Sequence, residues 1–278
     1  MVYPNVATRT NSKAEGRPQI HLRLEPCKDG ATRYHDGMAS TVATLPTIPP
    51  AAQHRLAPLR GLNVGELLIH EIYRSLQGES TYAGLPCVFL RTSVCDLRCS
   101  WCDTPHAFTQ GERLPRAVVL ERLLAFDVPL VEVTGGEPLL QAEVLPLMTD
   151  LADAGRTVLL ETSGAHDIAP VDRRVHIIMD LKCPDSGESH RNRWANLDVL
   201  KPTDEIKFVI ATRRDWEWAA ETIRDHRLQD RAQVLVSTVF GDATPLDLAN
   251  WLLESRFPRV RMQLQMHKYI WDPKARGV

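Results

Sequence analysis

Short apolar runs alternate with amphipathic segments from about residue 67 onward, and this alternation limits the possible folds more than any other feature of the sequence. Several intervals have the helical period, and we predict helices at Arg116–Ala125, Ala142–Ala154, Asp215–His226 and Leu246–Ser255. The apolar runs suit buried parallel strands, which we predict at Leu67–Tyr73, Cys87–Thr92, Leu130–Val133, Val158–Glu161, His176–Leu181, Ile206–Ile210, Val234–Val239 and Val260–Leu264. Such alternation predicts an α/β fold with a parallel sheet and helices outside it. The first two strands are too close in sequence for a crossover helix, so we expect a partial or irregular (β/α) barrel.

Residues 1–60 lack this alternation. Pro, Thr, Ala and isolated charges dominate there, and no helical or strand period is sustained. Such a composition buries too little apolar surface to offset the entropy of ordering, so we predict a disordered extension at 1–60 and a catalytic domain at 61–278. A transit peptide is disfavoured by the acidic residues in this segment, and a translation start at Met38 or later is a further alternative.

Composition excludes several functional classes. The chain has 278 residues, of which 44% are hydrophobic, enough for the core of one ordinary α/β domain. A formal net charge of -2 argues against broad electrostatic binding to nucleic acid or to an anionic membrane. No apolar run is long enough to span a bilayer, and no secretory signal is evident. These features predict a cytoplasmic enzyme.

Three cysteines, Cys95, Cys99 and Cys102, lie on one short segment. Three thiolates can hold three corners of a [4Fe-4S] cluster and leave the fourth iron open to a small molecule, whereas electron-carrying clusters normally have four cysteine ligands. The spacing therefore indicates chemistry at the open iron. A zinc site that uses a remote fourth ligand such as His106 is an alternative, and a partly disulfide-bonded arrangement is another.

Polar motifs follow the predicted strands where those strands end. They are Gln77-Gly78-Glu79, Arg91, Thr134-Gly135-Gly136-Glu137-Pro138, Glu161-Thr162-Ser163-Gly164, Asp180-Leu181-Lys182 and Gln265-Met266-His267-Lys268. The carboxyl ends of barrel strands meet at one mouth, where catalytic groups lie in such folds. We therefore expect these dispersed residues to form one pocket.

The cysteine spacing, with Trp101 before the last cysteine and a Gly-Gly-Glu-Pro turn downstream, resembles radical S-adenosylmethionine (SAM) enzymes. The resemblance implies a TIM-like barrel of the radical SAM type, a [4Fe-4S] cluster and SAM, whose methionine group chelates the open iron. It implies SAM contacts for Ser100, Trp101, Cys102, Gly136, Asp180, Leu181, Lys182, Gln265, Met266 and His267. A tight turn at the glycine pair and a core position for Trp101 are the simpler alternatives.

A more specific set of motifs narrows the resemblance. Leu76-Gln77-Gly78-Glu79, Arg91, Cys102-Asp103-Thr104, Thr134 and the segment from Gln265 to Trp271 together resemble the 7-carboxy-7-deazaguanine synthase family, from about Leu67 to the C-terminus. The resemblance implies a lyase that converts 6-carboxy-5,6,7,8-tetrahydropterin into 7-carboxy-7-deazaguanine by radical ring contraction with loss of ammonia, on the route to queuosine. It also implies Mg²⁺, a homodimer, and an electron donor such as flavodoxin or ferredoxin.

The resemblance assigns substrate contacts to Leu76, Gln77, Gly78, Glu79, Arg91, Thr134 and Val278, and Mg²⁺ coordination to Thr104. Physical chemistry supports several of these roles. Glu79 can accept both donors of a pterin edge, and Arg91 is a forked partner for the substrate carboxylate. The Thr104 hydroxyl is a hard oxygen ligand. A strand-end role for Arg91 and a capping role for Thr104 are the alternatives.

Two rival functions come from other classes. Another radical SAM enzyme, such as an activase that installs a glycyl radical on a protein, would share the cysteines but has no use for a pterin site at Gln77, Glu79 and Arg91. A non-catalytic iron–sulfur or zinc protein would not need polar residues at so many strand ends.

Overall fold

A nine-stranded open sheet forms the centre of the computed structural model, which describes residues 50–273 and 275–278. The strands follow the order β3-β1-β2-β4-β5-β6-β7-β8-β9, and every neighbouring pair from β2 to β9 is parallel. Within the described residues no ladder joins the edge strands β3 and β9. This open sheet confirms the predicted partial barrel. The strands are β1 (Glu66–Leu76), β2 (Pro86–Thr92), β3 (Glu112–Pro115), β4 (Leu130–Gly135), β5 (Thr157–Thr162), β6 (His176–Asp180), β7 (Glu205–Ile210), β8 (Gln233–Thr238) and β9 (Val260–Met262).

Helices connect most of the parallel strands. The α-helices are α1 (Arg116–Leu124), α2 (Val144–Asp153), α3 (Arg213–Asp225), α4 (Pro245–Ser255) and the single turn α5 (His267–Ile270). The 3-10 helices lie at Pro50–Leu59, Pro105–Phe108, Pro138–Leu140, Pro184–Ser186, Ser189–Arg191, Trp194–Asp198 and Leu228–Asp230. Over 50–273 and 275–278, no helix combines the length and the apolar character that crossing a membrane requires.

The first predicted strand was expected to be parallel, and that expectation is wrong. β1 pairs antiparallel with both β2 and β3, and Glu71 lies opposite Arg91 in the β1–β2 ladder. β3 was not predicted, because Leu114 is its one buried side chain and four residues with one apolar position give no strand pattern.

The last residues of the predicted extension also depart from the prediction. Pro50–Leu59 form a 3-10 helix, and Leu56 and Leu59 pack against a buried cluster that contains Val94. The guanidinium of Arg55 donates to the Asp96 carbonyl at 2.5 Å. These contacts offset the ordering of this Pro- and Ala-rich segment. The rest of the predicted extension, 1–49, lies outside the described residues.

The two faces of the sheet differ in chemistry, because side chains alternate along a strand. On β7, Ile206 and Phe208 belong to the main core, between the sheet and the helices. Lys207 points to the opposite face, inside the partial barrel, and lines its cavity together with Val209. The interior face carries a small apolar cluster made of Cys87, Phe89, Leu130, Leu159 and Ile178. Charged residues follow two positions later on the same strands, so the barrel interior is apolar at one end and ionic at the other.

Candidate active site

A cavity of about 530 Å³ lies at the carboxyl ends of the parallel strands. Most of the predicted cluster, cofactor and substrate residues meet here. The cavity is lined by Glu79, Arg91, Cys95, Cys99, Trp101, Cys102, Thr104, Thr134, Gly136, Asp180, Lys182, Gln265 and His267. The barrel topology therefore gathers residues from the whole described chain, as the strand-end pattern predicted.

The cysteine segment packs tightly against the Gly-Gly turn. Glu137 N–H donates to the Val94 carbonyl at 2.8 Å, and a Cβ on Gly136 would clash with that same carbonyl. The sequence predicted that glycine lets this backbone approach a ligand, and the structure adds a second reason, the contact with the cysteine segment. Val94 itself has a φ of 77°, which is costly for a β-branched residue and marks the entry to the segment as strained.

Ionic contacts hold the other side of the cysteine segment. The fully buried Asp96 carboxylate lies 3.0 Å from His166 Nε2 and 2.6 Å from Arg191 Nη2. Arg98 N–H donates to the Glu188 carboxylate at 2.6 Å. The segment is thus fixed by side chains from the loops after β5 and β6, so the thiols have a defined position.

The three thiols fit a metal cluster. Cys95, Cys99 and Cys102 are half-buried and free of disulfides. Burial raises the pKa of each, while the nearby Lys182 opposes that rise. The backbone at Leu97 and at Thr104 also lowers the pKa of Cys95 and of Cys102, respectively. Three free thiols on the lining of one cavity form a donor set suited to iron, which deprotonates its thiol ligands.

Lys207 joins three carboxylates at the centre of the cavity. Its ammonium lies 2.9 Å from Glu79 and 3.5 Å from Asp180, and it also contacts Glu161. Lys182 lies 2.5 Å from the other oxygen of Asp180. Desolvation opposes ionisation of Glu79, but Lys207 outweighs it and lowers the pKa of Glu79. Glu79 is therefore an ionised acceptor.

Contacts between the segment after β1 and the tail after β9 link opposite sides of the cavity mouth. Met266 N–H donates to the Gly78 carbonyl at 3.0 Å, and Gln265 Nε2 donates to Glu79 at 2.9 Å. His267 packs so closely on Gly78 that a Cβ there would collide with its imidazole. This glycine is required by a close approach of side chain and backbone.

Arg91 connects the main cavity to a neighbouring cavity of about 440 Å³. Its Nε donates to Glu71 at 2.7 Å, and its Nη2 donates to the Tyr73 hydroxyl at 3.0 Å. Both partners lie on β1, which the antiparallel ladder places beside β2. These contacts use two of the five guanidinium donors and fix the orientation of the group. Leu76, Gly78 and Val278 line the same second cavity.

Thr104 lies between the two cavities. Its hydroxyl donates to Asp103 at 2.8 Å, and it makes no side-chain capping bond to the 3-10 helix that follows. The capping alternative is therefore wrong. Desolvation opposes ionisation of Asp103, but Lys268, at 3.0 Å, lowers the pKa of Asp103 to about 2. An anionic oxygen and a hydroxyl thus lie together at the junction.

Four predicted residues line neither the main cavity nor the second cavity. Ser100 lines a separate, open cavity, and its hydroxyl donates to the Asp185 carbonyl at 2.7 Å. Gln77 is buried, contacts Glu132 and accepts Glu79 N–H at 3.0 Å, so it supports Glu79 rather than exposing its amide. Leu181 is also buried, and its N–H donates to the Lys207 carbonyl. The fourth is Met266, whose N–H donates to the Gly78 carbonyl.

Lys207 was not identified from the sequence as a residue of the site. A lysine between Ile206 and Phe208 looks like an interruption of an apolar strand. The available signal was the period of two: Lys207 and Val209 share the face opposite to the two core residues.

His106, proposed above as a zinc ligand with the cysteines, lies instead beside His70, with ring centroids 4.9 Å apart. It lines the second cavity, and the cysteines line the main one. The structure therefore does not bring His106 and the three cysteines together as one zinc site.

Comparison with known proteins identifies the family. Residues 89–249 match the radical SAM superfamily. A 7-carboxy-7-deazaguanine synthase of Koribacter versatilis (strain Ellin345) is 46% identical over 225 residues, covering 76% of this chain and 99% of the relative. Another, from Chlorobaculum tepidum, is 46% identical over 215 residues, covering 76% and 97%. The crystal structure of QueE from Escherichia coli shares the fold, with a TM-score of 0.59 at 23% identity over 73% of this chain and 95% of that chain. The chain belongs to the 7-carboxy-7-deazaguanine synthase family, within the radical SAM superfamily.

Proposed function

We propose that this chain converts 6-carboxy-5,6,7,8-tetrahydropterin into 7-carboxy-7-deazaguanine, with loss of ammonia, in queuosine biosynthesis. The observation that carries the proposal is the placement of Glu79, Arg91 and Thr134 on the same cavity as the three cysteines. A carboxylate acceptor, a guanidinium and a hydroxyl suit a carboxylated pterin. A glycyl-radical activase would have no use for this set.

Membership in the radical SAM superfamily implies a [4Fe-4S] cluster and SAM. Cys95, Cys99 and Cys102 would hold the cluster, and the cavity face formed by Gly136, Lys182 and other strand-end residues would receive SAM. When bound, these cofactors supply the radical that starts the reaction. Lys182 and Lys207 line the same cavity, and both stay protonated, because Asp180 raises the pKa of each against the opposing effect of desolvation.

Glu79 would accept the ring N–H and the exocyclic amino group of the pterin. Each of its oxygens already accepts one donor, from Lys207 and from Gln265. An ionised carboxylate has about four lone-pair sites, so two further bonds fit. The existing pair fixes the plane of the carboxylate before substrate arrives, which lowers the ordering cost of binding.

Arg91 would bind the substrate carboxylate. Because Glu71 and Tyr73 engage Nε and one Nη2 hydrogen, the Nη1–Nη2 end of the guanidinium can still form a forked pair. Thr104 would provide one oxygen to Mg²⁺, an ion that takes few protein ligands and completes its shell with substrate and water. Its position between the two cavities supports a metal that also contacts substrate.

Other assignments stay predictions. They are a homodimer, an electron donor such as flavodoxin or ferredoxin, a cytoplasmic location, and a substrate contact for Val278, which lines the second cavity. The SAM contacts predicted for Ser100, Leu181 and Met266 also stay predictions, although these residues lie outside the lining of the main cavity.

The test is anaerobic reconstitution of the full chain, followed by incubation with 6-carboxytetrahydropterin, SAM, Mg²⁺ and a chemical reductant. We expect a four-iron spectrum that SAM perturbs, and 7-carboxy-7-deazaguanine detected by mass spectrometry. A Cys102→Ala variant, run in parallel, should form no product. A SAM-responsive cluster that cleaves SAM without yielding this product would contradict the substrate assignment, and a colourless zinc protein would contradict the radical mechanism.

A further inference from the structure

Two histidines and a glutamate meet beside the second cavity, outside the cluster and substrate residues discussed above. His70 and Glu71 lie on β1, and His106 lies on the 3-10 helix Pro105–Phe108. One ligand atom from each lies within 4.8 Å of the other two, and all three residues are half-buried. A metal with bonds of about 2 Å holds such atoms about 3.3 Å apart, so side-chain rotations alone can close the shell.

The groups behind these ligands have the arrangement found at metal sites. His70 Nδ1 lies 3.1 Å from the Gln110 carbonyl, which as an acceptor places the proton on Nδ1 and leaves the Nε2 lone pair for a metal. Glu71 Oε1 accepts from Arg91 at 2.7 Å, and its other oxygen remains to coordinate. Second-shell hydrogen bonds of both kinds orient metal ligands and increase their affinity.

We propose that His70, Glu71 and His106 bind a divalent transition metal of the zinc class. Two imidazoles and one carboxylate, with a fourth position for water, match the donor preference of such ions. Arg91 and Arg276 both lie near His106. Their positive charge opposes every divalent ion alike, so the choice of metal rests on the donors: two imidazole nitrogens favour an ion of the zinc class over Mg²⁺, which takes oxygen ligands.

The metal would connect β1 to the segment that follows Thr104. Glu71, the carboxylate ligand of this metal, also accepts a hydrogen bond from Arg91. The metal would therefore fix the position of the Arg91 guanidinium through Glu71. The assignment is independent of the proposed reaction, because none of its three ligands has been given a role in binding substrate, cluster or SAM.

The test is Zn²⁺ binding to the full chain with its cluster reconstituted and with Mg²⁺ saturating, followed by isothermal titration. We expect one Zn²⁺ per chain. His106→Gln and His70→Gln should each weaken the affinity at least about tenfold. His54→Gln, at an exposed histidine elsewhere, should leave it unchanged. The visible spectrum of the cluster reports that each variant is folded and loaded.

X-ray absorption at the zinc edge gives the second measurement. We expect a shell of nitrogen and oxygen neighbours with the outer-shell signal of two imidazoles. Sulfur neighbours would place the zinc on the cysteines and overturn the proposal. Absence of zinc uptake by the loaded wild-type chain, or equal weakening by His54→Gln and His106→Gln, would overturn it as well.

Discussion

The Lys207 ammonium lies 2.9 Å from the Glu79 carboxylate, across the interior of the open barrel. The two residues are 128 positions apart in sequence and come from β7 and from the segment after β1. Lys207 is also the cation shared by Glu161 and Asp180. One buried charge therefore stabilises the anionic lining of the cavity.

Replacing Lys207 by Met should destabilise the fold by about 3 kcal/mol, because buried carboxylates lose their shared cation. The free energy of unfolding in urea is the measurement. Arg213→Met is the matched control: it breaks exposed ion pairs with Glu217 and Glu254, and we expect a loss below about 1 kcal/mol. Equal losses in the two variants would show that the Lys207 network contributes no more than a surface pair.

Replacing Glu79 by Gln should weaken substrate binding at least about tenfold, because the amide cannot accept two pterin donors and an interaction with a charged group is lost. The dissociation constant of 6-carboxytetrahydropterin measures this effect. Iron content and the visible spectrum should match the wild type. Loss of the cluster in this variant would mean that Glu79 shapes the cysteine segment instead.

Replacing Gly136 by Ala should displace the cysteine segment, because the new Cβ clashes with the Val94 carbonyl. We expect a loss of about 2 kcal/mol and a large fall in iron bound per chain. In Gly155→Ala, the new Cβ meets nothing within 4 Å, although φ is 78°. That control should lose about 1 kcal/mol and keep its iron.

Replacing Tyr73 by Phe removes one donor–acceptor contact that orients Arg91. The expected cost is about 1 kcal/mol, or about a fivefold increase in KM for the pterin with little change in kcat. Tyr82→Phe serves as the control, because no hydrogen bond of the Tyr82 hydroxyl is seen among the described residues. A fall in kcat at constant KM would contradict a positioning role for Tyr73.

Replacing Glu205 by Gln should change how the free energy of unfolding depends on pH in the acidic range. Desolvation raises the pKa of buried Glu205, but bonds from His176 and Thr81 outweigh it and lower the pKa below its ordinary value. The unfolded chain therefore binds the proton more tightly, so this contribution is present above about pH 5 and is lost as the pH falls through the folded pKa.

Urea unfolding of Glu205→Gln and wild type between about pH 7 and pH 3 measures the difference. We expect the gap between the two chains to narrow as the pH falls. The exposed substitution Glu217→Gln, which breaks a surface ion pair with Arg213, should give a much smaller gap at neutral pH. If the gap for Glu205→Gln does not depend on pH, the ionised Glu205 carboxylate does not contribute to the stability of the fold.

The sequence predicted the parallel part of the fold and the family, and the sheet and the comparisons confirm both. It could not predict the direction of β1, because an apolar run such as Leu67–Tyr73 reads the same in either orientation and pairing depends on distant residues. It missed Lys207 for a related reason: the value of a buried charge depends on Glu79, Glu161 and Asp180, which only the folded barrel brings near.

The orientation of the Gln77 side chain could not be predicted from the sequence, and its substrate contact stays a prediction. Motif position placed it with substrate-reading residues, yet its amide is turned inward to Glu132 and to the backbone of Glu79. Alternation along an irregular segment after a strand cannot be read from sequence, because the backbone no longer has a fixed period.

Met266 and Gly78 are joined by one hydrogen bond where a closed barrel would have a strand ladder. A ligand that contacts Glu79 and Gln265 together would bridge the two ends of the sheet, and its binding free energy would add to the cohesion of the barrel. Substrate would then act as a reversible cross-link, and the melting temperature would increase with its concentration. The incomplete sheet thus makes occupancy of the pocket part of the stability of the fold.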